Sequence, residues 1–149
     1  MPDRAIQGGK MQTIDAGTHV PLIADWKGTN PAKVCDDLVD FSDFLPTLAE
    51  AAGAPLPENV IIDGRSFLPQ IRGQKGNPRE WIFCHYTRDG GKETPKRFVR
   101  DKRWKLYHTG ELFDVQADPL EQSPISPGGG GQQVTAARKR LQAALDSIN

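Results

Sequence analysis

Apolar and polar positions change their period several times along this chain, and each change marks an element. Val20-Pro21-Leu22-Ile23-Ala24 is apolar with no strict polar alternation, the pattern of a strand buried on both faces in a parallel sheet. A turn-rich connection through Lys27-Gly28-Thr29-Asn30-Pro31 follows, and Leu38 to Phe41 reads as a short strand. Phe44, Leu45, Leu48, Ala49 and Ala52 then recur at helical spacing. Ser42 or Asp43 supplies an N-cap oxygen, Pro46 falls in the first turn where its missing N–H is not needed, and Gly53 supplies the stop. The spacing predicts a helix over about 43–52. Prolines and glycines punctuate 54–79, with at most one or two helical turns at Phe67 to Ile71.

From Glu80 the period becomes two. Trp81, Phe83 and His85 share one face of a strand and Ile82, Cys84 and Tyr86 the other, until Asp89-Gly90-Gly91 breaks it. Phe98-Val99 and Trp104 to Tyr107 flank a tight turn near Arg100 to Lys102, and Leu112-Phe113 follows Thr109-Gly110, which predicts a small antiparallel sheet. Ser123 to Gln133, with Pro127 and the glycines at 128–131, has the composition of a flexible linker. Beyond it Val134, Ala137, Leu141, Ala144, Leu145 and Ile148 form one apolar stripe, predicting a final helix with Thr135 near its cap. Such a helix needs a surface to cover, and the sheet offers one. Residues 1–7 are polar and unpatterned.

Composition narrows the function classes. The 149 residues carry 19 Lys plus Arg against 19 Asp plus Glu, a formal net charge of zero, so nothing in the balance calls for nucleic acid or an anionic membrane. No apolar run approaches the roughly 18 residues of a membrane span. The start, Met1-Pro2-Asp3-Arg4, lacks a signal-peptide apolar core, which in a piece of a longer protein says nothing about a periplasmic or secreted parent. Cys35 and Cys84 are too few for a disulfide framework; they form one bridge or stand as two thiols.

The candidate chemistry sits before the first apolar run. Gly8-Gly9-Lys10 allows a backbone turn with close ligand approach and projects an ammonium from it, at the end of a predicted strand, where open α/β sheets bind ligands. Gly9, Lys10, Thr13, Gly17, Val20 and Pro21 make a pattern that resembles the late part of sulfatases of the arylsulfatase type. Asp40 to Leu48 with Ala52-Gly53 is similar to that family's Asp-Leu-x-Pro-Thr-Leu helix, and Asp63-Gly64-Arg65-Ser66-Phe67-Leu68 to its Asp-Gly-Arg-Ser-Leu-Leu segment. Arg97 to Leu106, then Glu111 to Asp114 with Asp118-Pro119-x-Glu121, resemble its C-terminal sheet and following loop. Together, in the family's order, they cover about residues 8–121.

The resemblance implies an α/β, alkaline-phosphatase-like sulfatase fold. Residues 1–79 would be a remnant of the large domain and 80–149 the C-terminal antiparallel sheet plus helix, with the linker at 123–133. It implies hydrolysis of sulfate esters by a formylglycine hydrate, made from Cys or Ser in a Cys/Ser-x-Pro-x-Arg motif, assisted by a calcium ion. A transition state of this charge needs fixed positive groups in a dry site. Lys10 matches the family lysine that contacts the sulfate. The expected partners are a sulfated small molecule or glycan in the parent enzyme and a missing N-terminal sulfatase segment; neither nucleic acid nor a membrane is expected.

The formylglycine motif, the early aspartates and the Asp-Asn-Gly metal signature are all expected upstream, so no cofactor is expected in this chain and the chain is expected to be inactive by itself. Cys84-His85-Tyr86-Thr87-Arg88 has its arginine at the right spacing but Tyr86 where proline is required, and Cys35-Asp36-Asp37 lacks both. Met11 stands where the family has a small residue. His19 could line the substrate entrance or be a hydrogen-bonded structural histidine; His85 and His108 lack metal-ligand spacing. Asp36, Asp37, Asp40 and Asp43 read as capping and solvated carboxylates. The basic run Lys92, Lys96, Arg97, Arg100, Lys102, Arg103 and Lys105, interleaved with Phe98 and Trp104, is either the charged solvent face of a hairpin or an anion-binding surface, the latter making the chain a non-catalytic interaction module.

Overall fold

The computed structural model describes residues 8–148, so the polar segment 1–7 lies outside the described residues. Two compact units form: the described part of Met1–Pro21 with Phe83–Asn149, and Leu22–Ile82.

In the second unit the predicted helix is present as α2, Phe44–Ala52, closed by Gly53 at φ 64°. A 3-10 turn over Phe41–Asp43 leads into it, and the cap lies earlier than expected. Asp40 Oδ1 accepts from the Ser42 amide at 2.9 Å while Asp43 Oδ2 accepts from the Asp40 amide at 2.8 Å, a reciprocal capping box. The expected strand at Leu38–Phe41 is therefore reduced to one bridge, Leu38 to Arg79, because Phe41 already turns.

Asp43 is not a solvated carboxylate but the hub of this unit. Arg79 grips it with Nε at 2.7 and 2.8 Å and Nη2 at 2.6 Å, and the Arg65 amide donates at 2.7 Å. Burial alone would push the Asp43 carboxyl up, but the hydrogen bonds from Arg79 and from the Arg65 and Asp40 amides outweigh it and hold it below the usual carboxylate range. The Asp63-Gly64-Arg65 segment reaches the hub because Gly64 has no Cβ: one added there would collide with the Ser42 carbonyl and come within 3.0 Å of Pro46 Cγ. Thr47 Oγ1 then accepts from the Phe67 amide at 3.0 Å, placing Phe67 and α3, Leu68–Ile71, under α2.

The apolar run Val20–Ala24 forms no strand, and Val20, Leu22 and Ile23 are exposed, Ile23 by 89%. A strand needs a neighbour for its amides and carbonyls, and among the described residues no strand pairs with this segment.

The first unit is built on a four-stranded sheet in the order β1 (Ile82–Tyr86), β2 (Lys96–Arg100), β3 (Trp104–Tyr107), β4 (Leu112–Asp114). The β2–β3 and β3–β4 pairs are antiparallel, with Val99 opposite Leu106 and Leu106 opposite Leu112. Asp101 makes the β2–β3 turn, its Oδ1 accepting from the amides of Arg103 at 2.8 Å and Trp104 at 2.6 Å. The final helix α4, Gly131–Asp146, packs on β2 and β3 and buries Val134, Ala137, Leu141, Ala144 and Leu145. Gly130 rather than Thr135 stands at its N-cap; Thr135 lies within the helix and donates to the Gly131 carbonyl. Within 123–133, Ile125 adds a bridge to Leu112, and Arg138 Nη2 donates to the Ile125 carbonyl at 2.9 Å.

Candidate functional site

Lys10 sits in a turn whose ends are joined by the Gln12 amide donating to the Gly9 carbonyl at 2.9 Å, and its side chain is exposed. Met11, the third residue of that turn, adopts φ 66°, a region that L-residues with a side chain enter at a cost of about 1 kcal/mol. The conformation persists because both flanks are clamped. Asp15–Thr18 forms a single helical turn, α1, and lays Gly17 against the loop. A Cβ at Gly17 would strike the carbonyl oxygens of Gly9 and Gln12, and one at Gly9 would lie 2.8 Å from the Gly17 nitrogen. The two glycines of the Gly-Lys-x-x-Thr-x-x-x-Gly pattern are thus contact partners. We expect Gly17→Ala to lower stability by about 1–3 kcal/mol, the range for overpacking, read as an earlier urea midpoint; an unchanged midpoint would refute the contact.

The other clamp comes from the sheet. Phe98, Arg100, Lys105, Tyr107 and Phe113 share one face by strand alternation and register. On that face Lys105, fully buried, sends its ammonium to the Thr13 carbonyl and to Glu121 Oε1 at 2.7 Å, lying 4.0 Å over the Phe98 ring. Tyr107 Oη donates to Glu121 Oε2 at 2.6 Å and lies 3.1 Å from Thr13 Oγ1. Arg100, also buried, pairs with Asp15. Burial lowers the Lys105 ammonium below the ordinary lysine value, an effect the Glu121 hydrogen bond partly offsets, and burial together with Glu121 pushes the Tyr107 phenol up. The residues immediately after Lys10 are therefore bolted to the sheet by a buried polar network.

The sequence pointed to Lys10 but not to this network. Lys105 and Arg100 belong inside, not on a charged solvent face, and Phe98 and Trp104, being buried, are not stacking platforms. Arg103 pairs with Asp114 at 2.8 Å while covering the Trp104 ring at 4.5 Å. A signal was present: Thr13 and Glu121 are both fixed positions of the motifs in the early loop and after the sheet, and their polar type at buried sites demands partners. His19 lies at the end of α1, exposed, with Nδ1 3.3 Å from Asp15 Oδ2.

Among the described residues no group of three or more His, Cys, Asp or Glu is placed to hold a metal ion. Cys35 is exposed and Cys84 lies in β1.

Residues 10–148 match the family model described as N-sulphoglucosamine sulphohydrolase, C-terminal. The chain belongs to the sulfatase family. An ulvan-active sulfatase of Formosa agariphila is 32% identical over 120 residues, which span 78% of this sulfatase chain and 24% of that protein. Human arylsulfatase A is 41% identical over 77 residues, 52% of this chain and 15% of its own length. Among solved structures, a 2-O GAG sulfatase superposes with a TM-score of 0.55 at 28% identity, covering 71% of this chain and 23% of that one. The sulfatase chain thus spans about a quarter or less of these relatives, and its sheet and terminal helix are those of the family's C-terminal region.

Proposed function

We propose that this chain is the C-terminal part of a sulfuric ester hydrolase, in which the Lys10 ammonium contacts the sulfate oxygens while nucleophile and metal ligands come from residues outside it. The observation that carries the reading is the presentation of Lys10: an exposed cation on a turn held rigid from both sides. A fixed ammonium stabilises charge that grows on sulfate oxygens as the ester bond breaks, with no reorganisation at the moment of reaction. The exposed apolar side chains Val20, Ile23 and Ile61 suit surfaces that a larger N-terminal portion covers. The glycan named for the 2-O GAG sulfatase supports a sulfated sugar as the substrate class. The polyanion-module reading has less support, since two of its cations and both of its aromatics are buried.

In the enzyme completed by its N-terminal portion, Lys10→Ala should reduce kcat/KM toward an aryl sulfate about 100-fold, equivalent to roughly 2.7 kcal/mol of transition-state stabilisation. The 149-residue chain by itself should show no turnover with calcium present. A loss under threefold in the first assay, or turnover in the second, would defeat the proposal.

A further inference from the structure

Side chains far apart in sequence close a ring of hydrogen bonds on Thr13. A phenol has one proton to give. Tyr107 gives it to Glu121 Oε2 at 2.6 Å, so the 3.1 Å contact between Tyr107 Oη and Thr13 Oγ1 is made by the Thr13 hydroxyl donating to the phenol oxygen. Lys105 closes the ring, donating to Glu121 Oε1 at 2.7 Å and to the Thr13 carbonyl. Thr13, only 4% exposed, is therefore held at two points, its hydroxyl and its carbonyl. Two points fix a direction as well as a position, and buried bonds that share partners polarise and strengthen one another.

The consequence falls on the residues just before it. Gly9 lies against Gly17, whose helical turn is tied to the sheet by the pair of Asp15 with Arg100. Between the anchors at Gly9 and Thr13 stand Lys10, Met11 and Gln12. Met11 holds φ 66°, a conformation that an L-residue leaves when it can. The turn's own bond, from the Gln12 amide to the Gly9 carbonyl, is of the same order as that strain, so the anchor at Thr13 decides whether the turn is kept. The Tyr107 ring does not need its hydroxyl to stay in place: it packs on Phe98 and Phe113, with centroids 5.5 and 5.9 Å away. The hydroxyl is thus free to serve the loop.

We infer that Tyr107 and Thr13 are positioning residues for sulfate-ester hydrolysis: through their paired hydroxyls the C-terminal sheet sets the direction in which Lys10 presents its ammonium. The inference rests on the Lys10 reading for the contact it serves. Misplacing a group at a reacting centre by about 1 Å can cost on the order of 100-fold in rate, and losing one anchoring bond of several permits part of that shift.

In the enzyme completed by its N-terminal portion, Tyr107→Phe and Thr13→Val, each checked for folding by circular dichroism, should lower kcat toward an aryl sulfate about tenfold and leave KM within about twofold. Thr13→Ser keeps the hydroxyl and should recover most of the rate lost in Thr13→Val. In a Lys10→Ala background Tyr107→Phe should cost less than about twofold more, because its effect runs through the ammonium already removed. A general weakening of the fold would act equally in both backgrounds. On the 149-residue chain, amide hydrogen exchange at Gln12 should quicken about fivefold in Tyr107→Phe, the effect of one lost hydrogen bond. Unchanged kcat in Tyr107→Phe, the same proportional loss in both backgrounds, Thr13→Ser as slow as Thr13→Val, or unchanged Gln12 exchange overturns the positioning role and leaves the sulfate contact standing. Lys10→Ala as active as the wild type overturns the sulfate contact itself, and the positioning role with it.

Discussion

Glu121→Gln is expected to destabilise the sheet unit by about 3–5 kcal/mol, because it leaves the Lys105 ammonium buried without its counter-charge. Lys105 is fully covered, and its carboxylate partner 2.7 Å away is itself inside. Gln is isosteric and keeps the same backbone, which matters at a residue holding φ 54°. The loss has a ceiling: neutralising a lysine at pH 7 costs about 5 kcal/mol, so a deeper deficit would be relieved by proton release. That relief sets the sign of the pH dependence. Lys105 is already depressed by burial, so the unfolded chain binds more protons at this site and its contribution to stability grows as pH rises toward the unfolded lysine value. The Glu121→Gln deficit should accordingly shrink between pH 7 and pH 9. Adding Lys105→Met should recover most of the lost stability, since removing both charges leaves none uncompensated. Urea unfolding of the wild type and these two variants tests this; a Glu121→Gln cost below about 1 kcal/mol would show that the network is not holding the loop.

Arg79→Met should have a comparable effect in the other unit, again about 3–5 kcal/mol, by stranding the Asp43 carboxylate, which is only 2% exposed. Arg79→Lys should recover only part of this, since one ammonium cannot reproduce the fork to both carboxylate oxygens together with the bonds to Ser42 Oγ and the Asp63 carbonyl. Asp43 lies below its ordinary value near 3.8, so its stabilisation is in place above that pH and is lost as pH falls through the lower folded value. In Arg79→Met the acid limb of the stability curve should move up in pH, because burial is then opposed only by the Arg65 and Asp40 amides and no longer by the Arg79 guanidinium. An acid limb superimposable on the wild type would rule out Arg79 as the partner that sets it.

Much of the secondary structure was legible along the chain. The 3.6-residue stripes of α2 and α4 and the period-two run of β1 are local patterns, set by which side chains can share a face, and all three elements occur where that periodicity predicts. Gly53 stops α2 because a left-handed residue is a local need that glycine meets locally. Recognition of the sulfatase C-terminal region was equally legible, since its motifs are short and ordered. The loop around Lys10 was legible only in part: its glycines announced a turn, but that Gly17 closes upon Gly9 depends on α1 folding back across the intervening residues.

Burial of charge was decided by the tertiary structure. Lys105 and Arg103 sit two residues apart in one basic run, yet the first is enclosed and the second is nearly half exposed against Asp114. No local pattern separates them, because a lysine enters a core only where distant residues, here Thr13 and Glu121, converge to receive it. The same holds for Asp43, which a local reading takes for a cap and which Arg79 and Arg65 turn into a buried hub. Val20–Ala24 shows the converse: its composition suits a strand, but a strand exists only with a neighbour to accept its hydrogen bonds, and sequence composition cannot supply one.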